Sequence, residues 1–262
     1  MRRIQPVPNL PKMARSKNCV AVIPCHNEAE TVGSLVAQIR ETVDDVIVVD
    51  DGSADLTAAK ASAAGARVIG HAGRSGKGTS LLAGWTAARS AGFEWAITLD
   101  GDGQHSPRNI PAFLHAAETT GTPLIIGNRM DRPDSMPRLR RWINRWLSRK
   151  ISELTDRELP DTQCGFRLVH LPTLSEVPLK ARHFEIESEM IFQFALHGHA
   201  IGFVPIDVIY AAEHSKIRPL IDTVRWWKWY LRARRGAAHA RASGQAFLAK
   251  SSTRVPCSIQ TR

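Results

Sequence analysis

Two pairs of carboxylates in the sequence stand where a metal ion or a nucleotide could be bound. Asp100 and Asp102 flank a glycine directly after the apolar run 95–99, and Gln104 and His105 follow closely. Two carboxylates that converge on one point are hard oxygen ligands of the kind that Mg²⁺ and Mn²⁺ take, and such a cation would also bind a diphosphate. A solvated Asp-Gly turn explains the same residues about equally well, so this motif alone is a weak signal.

The second pair is Asp50 and Asp51, which follow the apolar run 46–49. Carboxylates there can accept hydrogen bonds from a base N–H or from a ribose hydroxyl. A helix cap is the alternative interpretation, with Ser53 or Asp55 at the N-cap position. Both interpretations can hold at once.

Two common nucleotide motifs and a structural zinc site are excluded by residue spacing. The segment 73–79 resembles a phosphate loop in composition, but Gly78 follows Lys77 where a P-loop requires Ser or Thr. No G-x-G-x-x-G follows the first predicted strand, which argues against a dinucleotide-dependent dehydrogenase. The four cysteines stand far apart and form no C-x-x-C pair. We therefore interpret them as reduced thiols of a cytosolic protein without structural zinc.

The first half of the chain alternates short apolar runs with longer helical patterns. It predicts strands at 19–24, 45–50, 67–69, 95–100 and 123–127, and helices at 29–42, 54–65, 76–91 and 107–119. This alternation is typical of an α/β fold with right-handed βαβ units on a parallel sheet. Ligands of such sheets bind at the carboxyl ends of the strands, and both acidic pairs stand at predicted strand ends.

The second half has a more basic and more tryptophan-rich composition. It predicts basic helices at 137–154 and 221–240, a further helix at 186–196, and strands at 164–168 and 202–210. The ends of the chain lack this patterning, so we predict a flexible basic arm over 1–18 and a disordered tail over 242–262.

Several of these segments together resemble the motifs of family 2 glycosyltransferases. In chain order they are Ile23-Pro24-Cys25-His26-Asn27-Glu28, Val48-Val49-Asp50-Asp51-Gly52-Ser53-Ala54-Asp55, Gly76-Lys77-Gly78, Asp100-Gly101-Asp102-Gly103-Gln104-His105 and Gly127-Asn128-Arg129. Two further segments, 161–167 and 214–217, resemble the polyprenyl-phosphate (dolichol-phosphate mannosyltransferase-like) branch of that family. Singly none of these matches is specific, but their common order along the chain makes the set specific.

The resemblance implies a GT-A fold, an α/β architecture with a mostly parallel sheet flanked by helices, here extended by a C-terminal amphipathic basic helix. It implies an inverting glycosyltransferase that moves a sugar from a nucleoside diphosphate sugar to a polyprenyl phosphate, dolichyl or undecaprenyl, with Mg²⁺ or Mn²⁺ as cofactor. On this basis we predict a catalytic domain, 19–212, with a nucleotide-sugar half, 19–128, and an acceptor half, 129–212. An interfacial helix region, 213–241, follows it.

The resemblance also assigns candidate site residues. It implies nucleotide binding by Pro24, Glu28 and Asp51, and to these we add His26, Asp50, Lys77, Asp100 and Gly101 as nucleotide-sugar-binding residues. Divalent-metal binding is implied for Asp100, Asp102 and Gln104. Catalytic roles are predicted for Asp102, Arg129 and Lys216, and contacts with the acceptor phosphate for Arg129, Arg140, Asn144, Ser215 and Lys216. The sequence departs from the family at His26, where Tyr is usual, and at Gly101, where Ala is usual, which leaves the contact made by residue 26 open.

The acceptor decides whether a general base is needed. Glu185, Glu187 and Glu189 are candidates for deprotonating a sugar hydroxyl, but acids at a helix start are also favoured by the helix dipole, and we favour that interpretation. A phosphate monoester has a second pKa near 6 and is already mostly ionised at neutral pH, so it requires cations instead. The chain supplies a run of them: Arg129, Arg132, Arg138, Arg140, Arg141, Arg145, Arg149 and Lys150. A solvated basic face is the alternative, but the interspersed residues Leu139, Trp142, Ile143, Trp146 and Leu147 argue against it.

The charge and the last predicted helix favour a membrane surface as partner. The net charge is +10. Between residues 215 and 241 there are eight Lys and Arg residues and a single acidic residue, Asp222. Tryptophans 226, 227 and 229 are interspersed, and indoles and cations together suit an anionic headgroup layer. No signal peptide and no apolar run long enough to span a bilayer is present, so we predict a cytoplasmic protein bound peripherally to the inner face of the membrane. A separate membrane-anchored partner stays possible, and a helix with its tryptophans buried against the domain is the alternative.

Other functions remain open at this level. One is a family 2 transferase acting on a non-lipid hydroxyl, and another is a nucleotide-binding adaptor with an inactive transferase fold. A nucleotidyltransferase is a weaker variant of the first. Nucleic-acid binding also fits basic and aromatic residues, but it does not explain carboxylates at strand ends, so we predict no nucleic-acid partner.

Overall fold

A single sheet flanked by helices organises the chain. The computed structural model describes residues 18–131, 136–207, 209 and 219–242. Within them the strands are β1 Cys19–Cys25, β2 Asp45–Asp50, β3 Arg67–Gly70, β4 Trp95–Thr98, β5 Leu124–Asn128, β6 Arg167–His170 and β7 Ile201–Pro205. The helices are α1 Val32–Ile39, α2 Thr57–Ala63, α3 Lys77–Ser90, α4 Ile110–Thr120, α5 Arg138–Thr155, α6 Leu171–Glu176, α7 Ile186–Leu196 and α8 Pro219–Ala242. A short 3₁₀ turn, Pro107–Asn109, precedes α4.

The sheet has the strand order β3-β2-β1-β4-β6-β5-β7. Strands β1 to β4 pair in parallel, and β5 pairs in parallel with β7. Strand β6 runs antiparallel between β4 and β5. The mostly parallel α/β fold predicted from the sequence is therefore confirmed, with one reversed strand.

The reversed strand brings a loop to the site. Thr98 at the end of β4 pairs with Arg167 at the start of β6. The segment 161–166, which leads into β6, therefore arrives at the same edge of the sheet as the carboxyl ends of β1, β2 and β4. Those are the ends at which parallel α/β sheets bind their ligands.

The central strands are buried because helices cover both faces of the sheet. Residues 20–23 of β1 and 124–126 of β5 are fully buried and apolar. Continuous apolar runs of this kind are expected for strands that face no water on either side. Trp85 of α3 donates a hydrogen bond from Nε1 to Thr98 Oγ1 (3.3 Å), which fixes α3 against β4.

Some predicted boundaries are wrong, for local reasons. The helix predicted from residue 29 begins at Val32, because Asn27 has a positive φ of 53° and the chain turns before the helix starts. The strand predicted at 202–210 ends at Pro205, because its pairing partner β5 ends opposite it at Asn128. Helix α6, with Pro172 in its first turn, was not predicted. The predictions for residues 1–17, 243–262 and most of 208–218 concern segments outside the described residues.

The last helix confirms one prediction and corrects another. Helix α8 forms in the predicted basic region. Trp226 and Trp229 are buried, however, and Trp226 Nε1 donates to Ser188 Oγ of α7 (2.9 Å). The prediction that these two indoles anchor the protein in lipid is therefore wrong, because they dock α8 on the domain, whereas Trp227 is 42% exposed. In the part of the chain that can be described, no helix combines the length and the apolar character needed to cross a membrane.

Candidate active site

Asp51 anchors the loop that leads into α3. Its Oδ1 accepts a hydrogen bond from the Ser75 backbone N–H (2.7 Å), and its Oδ2 accepts one from the Gly76 N–H (2.8 Å). His71 Nδ1 lies 3.1 Å from Oδ1. Burial raises the pKa of Asp51, but these hydrogen bonds outweigh it and hold the pKa below its ordinary value. The carboxylate is therefore ionised, and it shapes the loop beside the predicted nucleotide site.

Asp50 closes the turn after β2. Its Oδ1 accepts hydrogen bonds from the Ser53 N–H (3.0 Å) and from the Ser53 hydroxyl. Asp55 accepts the Thr57 N–H (3.0 Å) at the start of α2. The turn role weighed for this motif is thus present, but the N-cap residue of α2 is Leu56, so the prediction of Ser53 or Asp55 at that position is wrong. Contacts of Asp50 and Asp51 with a nucleotide stay predictions.

The residues at the end of β1 lie against the same loops. His26 Nδ1 is 2.9 Å from the carbonyl oxygen of Asp51, so the residue that replaces the usual Tyr joins the ends of β1 and β2. The Glu28 N–H donates to Thr57 Oγ1 (2.8 Å), while its side chain and Pro24 remain partly exposed. Pro24, His26 and Glu28 therefore line the edge at which a nucleotide was predicted to bind.

Gly101 is explained by its packing against β1. A Cβ built on Gly101 would lie 2.6 Å from Cys25 Sγ and 3.1 Å from Glu28 Cγ, which leaves no room for the usual Ala. Cys25 is buried and was not singled out from the sequence. The only available signal was that Cys25 and Gly101 stand within neighbouring motifs.

The predicted metal ligands lie on the loop after β4. Asp100 is partly exposed, and its Oδ1 is 2.6 Å from Lys77 Nζ. Asp102 Oδ1 accepts the Gln104 backbone N–H (3.0 Å), so the two carboxylates and Gln104 belong to one short turn. No group of three or more His, Cys, Asp or Glu side chains arranged for a metal ion is found among the described residues.

The donor set nevertheless fits Mg²⁺ or Mn²⁺. Carboxylate and amide oxygens are the ligands that these ions take, and both ions commonly complete their shells with water and substrate phosphates rather than with a full protein cage. The position next to Asp100 already attracts a cation, since the Lys77 ammonium group lies there. The ammonium group of Lys77 thus shows that a positive charge is favoured at this position beside Asp100.

Lys77 joins the loop after β4 to α7. Its Nζ is 2.6 Å from Asp100 Oδ1 and 2.6 Å from Glu187 Oε1, and it lies 5.5 Å from the centroid of the Phe184 ring. Burial lowers the pKa of Lys77, but the charges of Asp100 and Glu187 outweigh this and hold it above its ordinary value. The pKa of Asp100 is raised by burial and lowered more strongly by Lys77, so the pair is ionised.

The three glutamates at the start of α7 have different environments. Glu187 reaches the site through Lys77. Glu189 instead accepts the backbone N–H groups of Lys180 (2.8 Å) and Ala181 (2.7 Å), and burial raises its pKa. Glu185 is at the N-cap position of α7. Glu187 is therefore the member of this group that belongs to the site.

His105 is buried beside Asp100. Its side chain is 5% exposed, its Nε2 is 3.9 Å from Asp100 Oδ2, and its ring centroid is 5.6 Å from that of Phe166. Burial lowers the pKa of His105 to about 4, so the imidazole is neutral at pH 7. Its Nδ1 has no hydrogen-bond partner.

Arg129 forms a buried ion pair with Asp161. Its Nε and Nη2 donate to the two Asp161 oxygens (2.7 and 2.8 Å), and its backbone N–H donates to Oδ2 (3.1 Å). Burial raises the pKa of Asp161, but Arg129 outweighs it and holds the pKa below its ordinary value. The charge of Arg129 also lowers the pKa of Asp100, so the Arg129–Asp161 pair lies within electrostatic reach of the loop after β4.

The other predicted acceptor contacts are only partly assembled. Arg140 is half-buried, and Asn144 is buried with Nδ2 3.8 Å from Met136 Sδ. Ser215 and Lys216, like Arg132, lie outside the described residues. The Ile209 N–H donates to the Gln104 carbonyl oxygen (2.9 Å), so residue 209 lies against the loop after β4. Their contacts with a phosphate stay predictions.

Arg167 is a buried cation that the sequence analysis left without a role. It donates to the backbone carbonyls of Cys164 (2.8 Å), Glu187 (2.6 Å) and Thr162 (3.0 Å). It therefore ties the loop 161–165 to the start of α7. The signal was its place at the end of the 161–167 motif.

The chain is similar to proteins of a known enzyme family. The description "Glycosyl transferase family 2" belongs to the family model that matches residues 20–176, more than half of the chain. The chain is 29% identical over 203 residues to the undecaprenyl-phosphate mannosyltransferase of Micrococcus luteus, covering 72% of this chain and 83% of that protein. It is 28% identical over 221 residues to the UDP-N-acetylglucosamine–dolichyl-phosphate N-acetylglucosaminyltransferase of Methanococcus voltae, covering 75% and 87%.

A solved structure with the same fold is the glucosyl-3-phosphoglycerate synthase of Mycobacterium tuberculosis in complex with Mn²⁺, UDP-glucose and phosphoglyceric acid. The TM-score is 0.66 at 22% identity, with 84% of this chain and 80% of that chain covered. The sheet order, the carboxylates at its edge and the family match together show that the chain belongs to glycosyltransferase family 2 and is a glycosyltransferase.

Proposed function

We propose that this glycosyltransferase transfers a sugar, with inversion, from a nucleoside diphosphate sugar to a polyprenyl phosphate. The observation that carries the proposal is the charged cluster of Lys77, Asp100 and Glu187 beside the Asp51 loop. It combines a cation for a diphosphate with carboxylates for a metal ion at one edge of the sheet. The polyprenyl-phosphate acceptors in the names of the relatives support the choice of acceptor.

The chemistry needs little from the protein beyond charge and position. The acceptor phosphate is already a nucleophile at neutral pH. One of its oxygens attacks the anomeric carbon from the face opposite the leaving group, the bond to the nucleoside diphosphate breaks, and the configuration inverts. Because nucleophile and leaving group are both anionic, fixed cations contribute most of the stabilisation.

Residues of this chain can supply that stabilisation. Asp100, Asp102 and Gln104 would hold Mg²⁺ or Mn²⁺, which when bound stabilises the charge that develops on the leaving diphosphate. Lys77 adds a positive charge beside Asp100. Arg129, fixed by Asp161, contributes positive potential from the acceptor side.

We also propose that α5 and α8 together face the membrane. Exposed apolar residues recur every three or four positions on both helices: Leu139, Trp142, Ile143 and Trp146 on α5, and Ile221, Val224, Trp227 and Leu231 on α8. Trp146 and Trp227 stack with ring centroids 6.1 Å apart, which joins the two rows. Exposed cations accompany them: Arg138, Arg145, Arg149, Lys228, Arg232, Arg234 and Arg235. An apolar face bordered by cations suits an anionic lipid surface.

The reaction is tested by transfer assays with purified protein. A panel of nucleotide sugars is combined with undecaprenyl and dolichyl phosphate and with Mg²⁺ or Mn²⁺. The proposal expects a glycosyl phospholipid and a released nucleoside diphosphate, and at least about a hundredfold loss of rate in Asp102→Ala. Wild-type rates in that variant would overturn the metal assignment. Transfer to soluble hydroxyl acceptors alone would overturn the lipid acceptor.

A further inference from the structure

We infer that Lys77 is a built-in counter-cation for Asp100, which keeps the metal ion from binding tightly until the diphosphate of the donor draws the lysine away. The inference rests on the proposed function, since it concerns the same donor site. It assigns to Lys77 the role of coupling the binding of metal and nucleotide.

The geometry places Lys77 where a metal ion would compete with it. Its ammonium nitrogen lies 2.6 Å from an oxygen of Asp100, within direct ion-pair distance of a predicted metal ligand. A divalent cation bound at the same carboxylate would lie close to this positive charge. Binding of the metal alone therefore has to displace Lys77 or bear its repulsion.

The second partner of Lys77 keeps the lysine at the site. Glu187 Oε1 is also 2.6 Å from Nζ and is more buried than Asp100, with 9% against 27% of its side chain exposed. Lys77 can therefore leave Asp100 and still remain paired on its inner side. An ammonium group has three donors, so a diphosphate oxygen can replace Asp100 while Glu187 stays bound.

The backbone around Lys77 limits where the side chain can go. Lys77 is the first residue of α3, and Gly76 before it has a φ of 102°, which L side chains rarely adopt. Asp51 holds the Gly76 N–H (2.8 Å). The exchange from Asp100 to a diphosphate is thus a side-chain movement from a fixed backbone.

Coupling of this kind is reciprocal. If the diphosphate removes Lys77 from Asp100 and thereby strengthens metal binding, the metal must strengthen diphosphate binding by the same factor. Part of any such coupling arises from phosphate oxygens that ligate the metal directly. The part that belongs to Lys77 is the part that a substitution of Lys77 removes.

The test measures Mn²⁺ binding to the full chain without nucleotide, by electron paramagnetic resonance of free Mn²⁺. Lys77→Gln is expected to bind Mn²⁺ about tenfold more tightly than wild type. Lys60→Gln, the same change at an exposed lysine of α2, is expected to leave the affinity unchanged. Glu187→Gln leaves Lys77 on Asp100 and removes a negative charge, so it is expected not to tighten Mn²⁺ binding. If the substitutions merely loosened the site, Lys77→Gln and Glu187→Gln would change the Mn²⁺ affinity in the same direction.

A second measurement uses the partner ligand. With EDTA present, UDP and GDP are titrated calorimetrically as probes. Asp100→Asn frees Lys77 and is expected to tighten binding of the diphosphate that the site accepts by about tenfold. Adding Lys77→Gln to that variant is expected to abolish the gain. This second measurement does not require the single variant Lys77→Gln to fold.

Two results would overturn the inference: no tightening of Mn²⁺ by Lys77→Gln, or equal tightening by Glu187→Gln. If Lys77→Gln does not fold, a gain in Asp100→Asn that survives the added Lys77→Gln, or no gain at all, overturns it as well. None of these measurements involves an acceptor. Failure of lipid transfer with intact coupling therefore contradicts the acceptor alone, and active transfer without coupling contradicts the role of Lys77 alone.

Discussion

The turns after β2 and β4 and the pairs that fix Lys77 and Arg129 hold their charged residues in different ways. In the turns, the carboxylates bind groups close by in sequence, as Asp50 binds Ser53 and Asp102 binds the Gln104 N–H. The pairs join distant residues, as in Arg129–Asp161 and Lys77–Glu187. Local contacts are built into a motif, whereas distant ones depend on the fold. The distant pairs should therefore be the more sensitive to loss of a single partner.

The largest expected effect is at Asp161. Asp161→Asn removes the carboxylate that pairs with buried Arg129, and an uncompensated buried charge costs about 3–5 kcal/mol of unfolding free energy. Urea unfolding followed by circular dichroism measures it. Glu153→Gln, in an exposed pair with Arg149 and Lys150, is the control and should leave the free energy of unfolding nearly unchanged. Equal small losses in both variants would contradict the predicted difference between buried and exposed pairs.

The next effect is at Gly101, on the loop after β4. Gly101→Ala places a methyl group 2.6 Å from Cys25 Sγ, and overpacking of this kind costs about 1–3 kcal/mol. Cys25→Ala removes that sulfur, so the double variant should recover much of the loss. Thermal unfolding of the four proteins measures the coupling.

Gly70→Ala is the matched control for this cycle, because a Cβ there meets nothing within 4 Å. It should change stability by less than about 0.5 kcal/mol. A strictly additive double variant would mean that Cys25 is not the group that requires glycine at position 101.

A comparable effect, with a pH signature, is expected at Asp51. Its folded pKa is below the unfolded value of about 3.9, so its stabilisation is complete above about pH 5 and is lost as the pH falls through the folded pKa. Asp51→Asn should cost about 1–3 kcal/mol at pH 7 by weakening the bonds to Ser75 and Gly76. The gap between wild type and variant should narrow from pH 5 to pH 3 in urea unfolding. A constant gap over that range would contradict the role given to the Asp51 carboxylate.

The same contrast explains what could be predicted from the sequence. The alternation of strands and helices, and the carboxylates at strand ends, are local patterns, and they predicted the parallel part of the sheet and the place of Asp51 and Asp100. The reversal of β6 leaves no local trace, because the residue pattern of a strand does not depend on the direction in which the strand runs through the sheet.

The pairing of Lys77 with Glu187 could not be predicted either, since the two residues are 110 positions apart. The helix dipole accounts equally well for Glu185, Glu187 and Glu189, so the sequence does not distinguish them. Only the three-dimensional packing of α7 against the start of α3 distinguishes them. Likewise, composition cannot separate buried from exposed tryptophans in 226–229, because the distinction depends on which side of α8 meets α7.

The smallest expected effect concerns the surface of α5 and α8. Trp142 is 64% exposed, so Trp142→Ala should weaken binding to anionic liposomes without changing stability. Arg145→Gln should weaken it about fivefold, since a basic residue near anionic lipid contributes about 1 kcal/mol. Co-sedimentation at low and high salt measures both, and salt should weaken binding of the wild type.

The control for the liposome experiment is a residue as exposed as Trp142 that lies outside α5 and α8. Leu56 is also 64% exposed but precedes α2, whose contacts are with α1, β2 and β3, and Leu56→Ala should bind liposomes as wild type does. Trp226→Ala should instead lower stability, because this indole is buried and bonded to Ser188. If Trp142→Ala binds liposomes as well as wild type while Trp226→Ala does not, the lipid surface is not the exposed face of α5. The two tryptophans thus separate attachment to lipid from attachment of α8 to the domain.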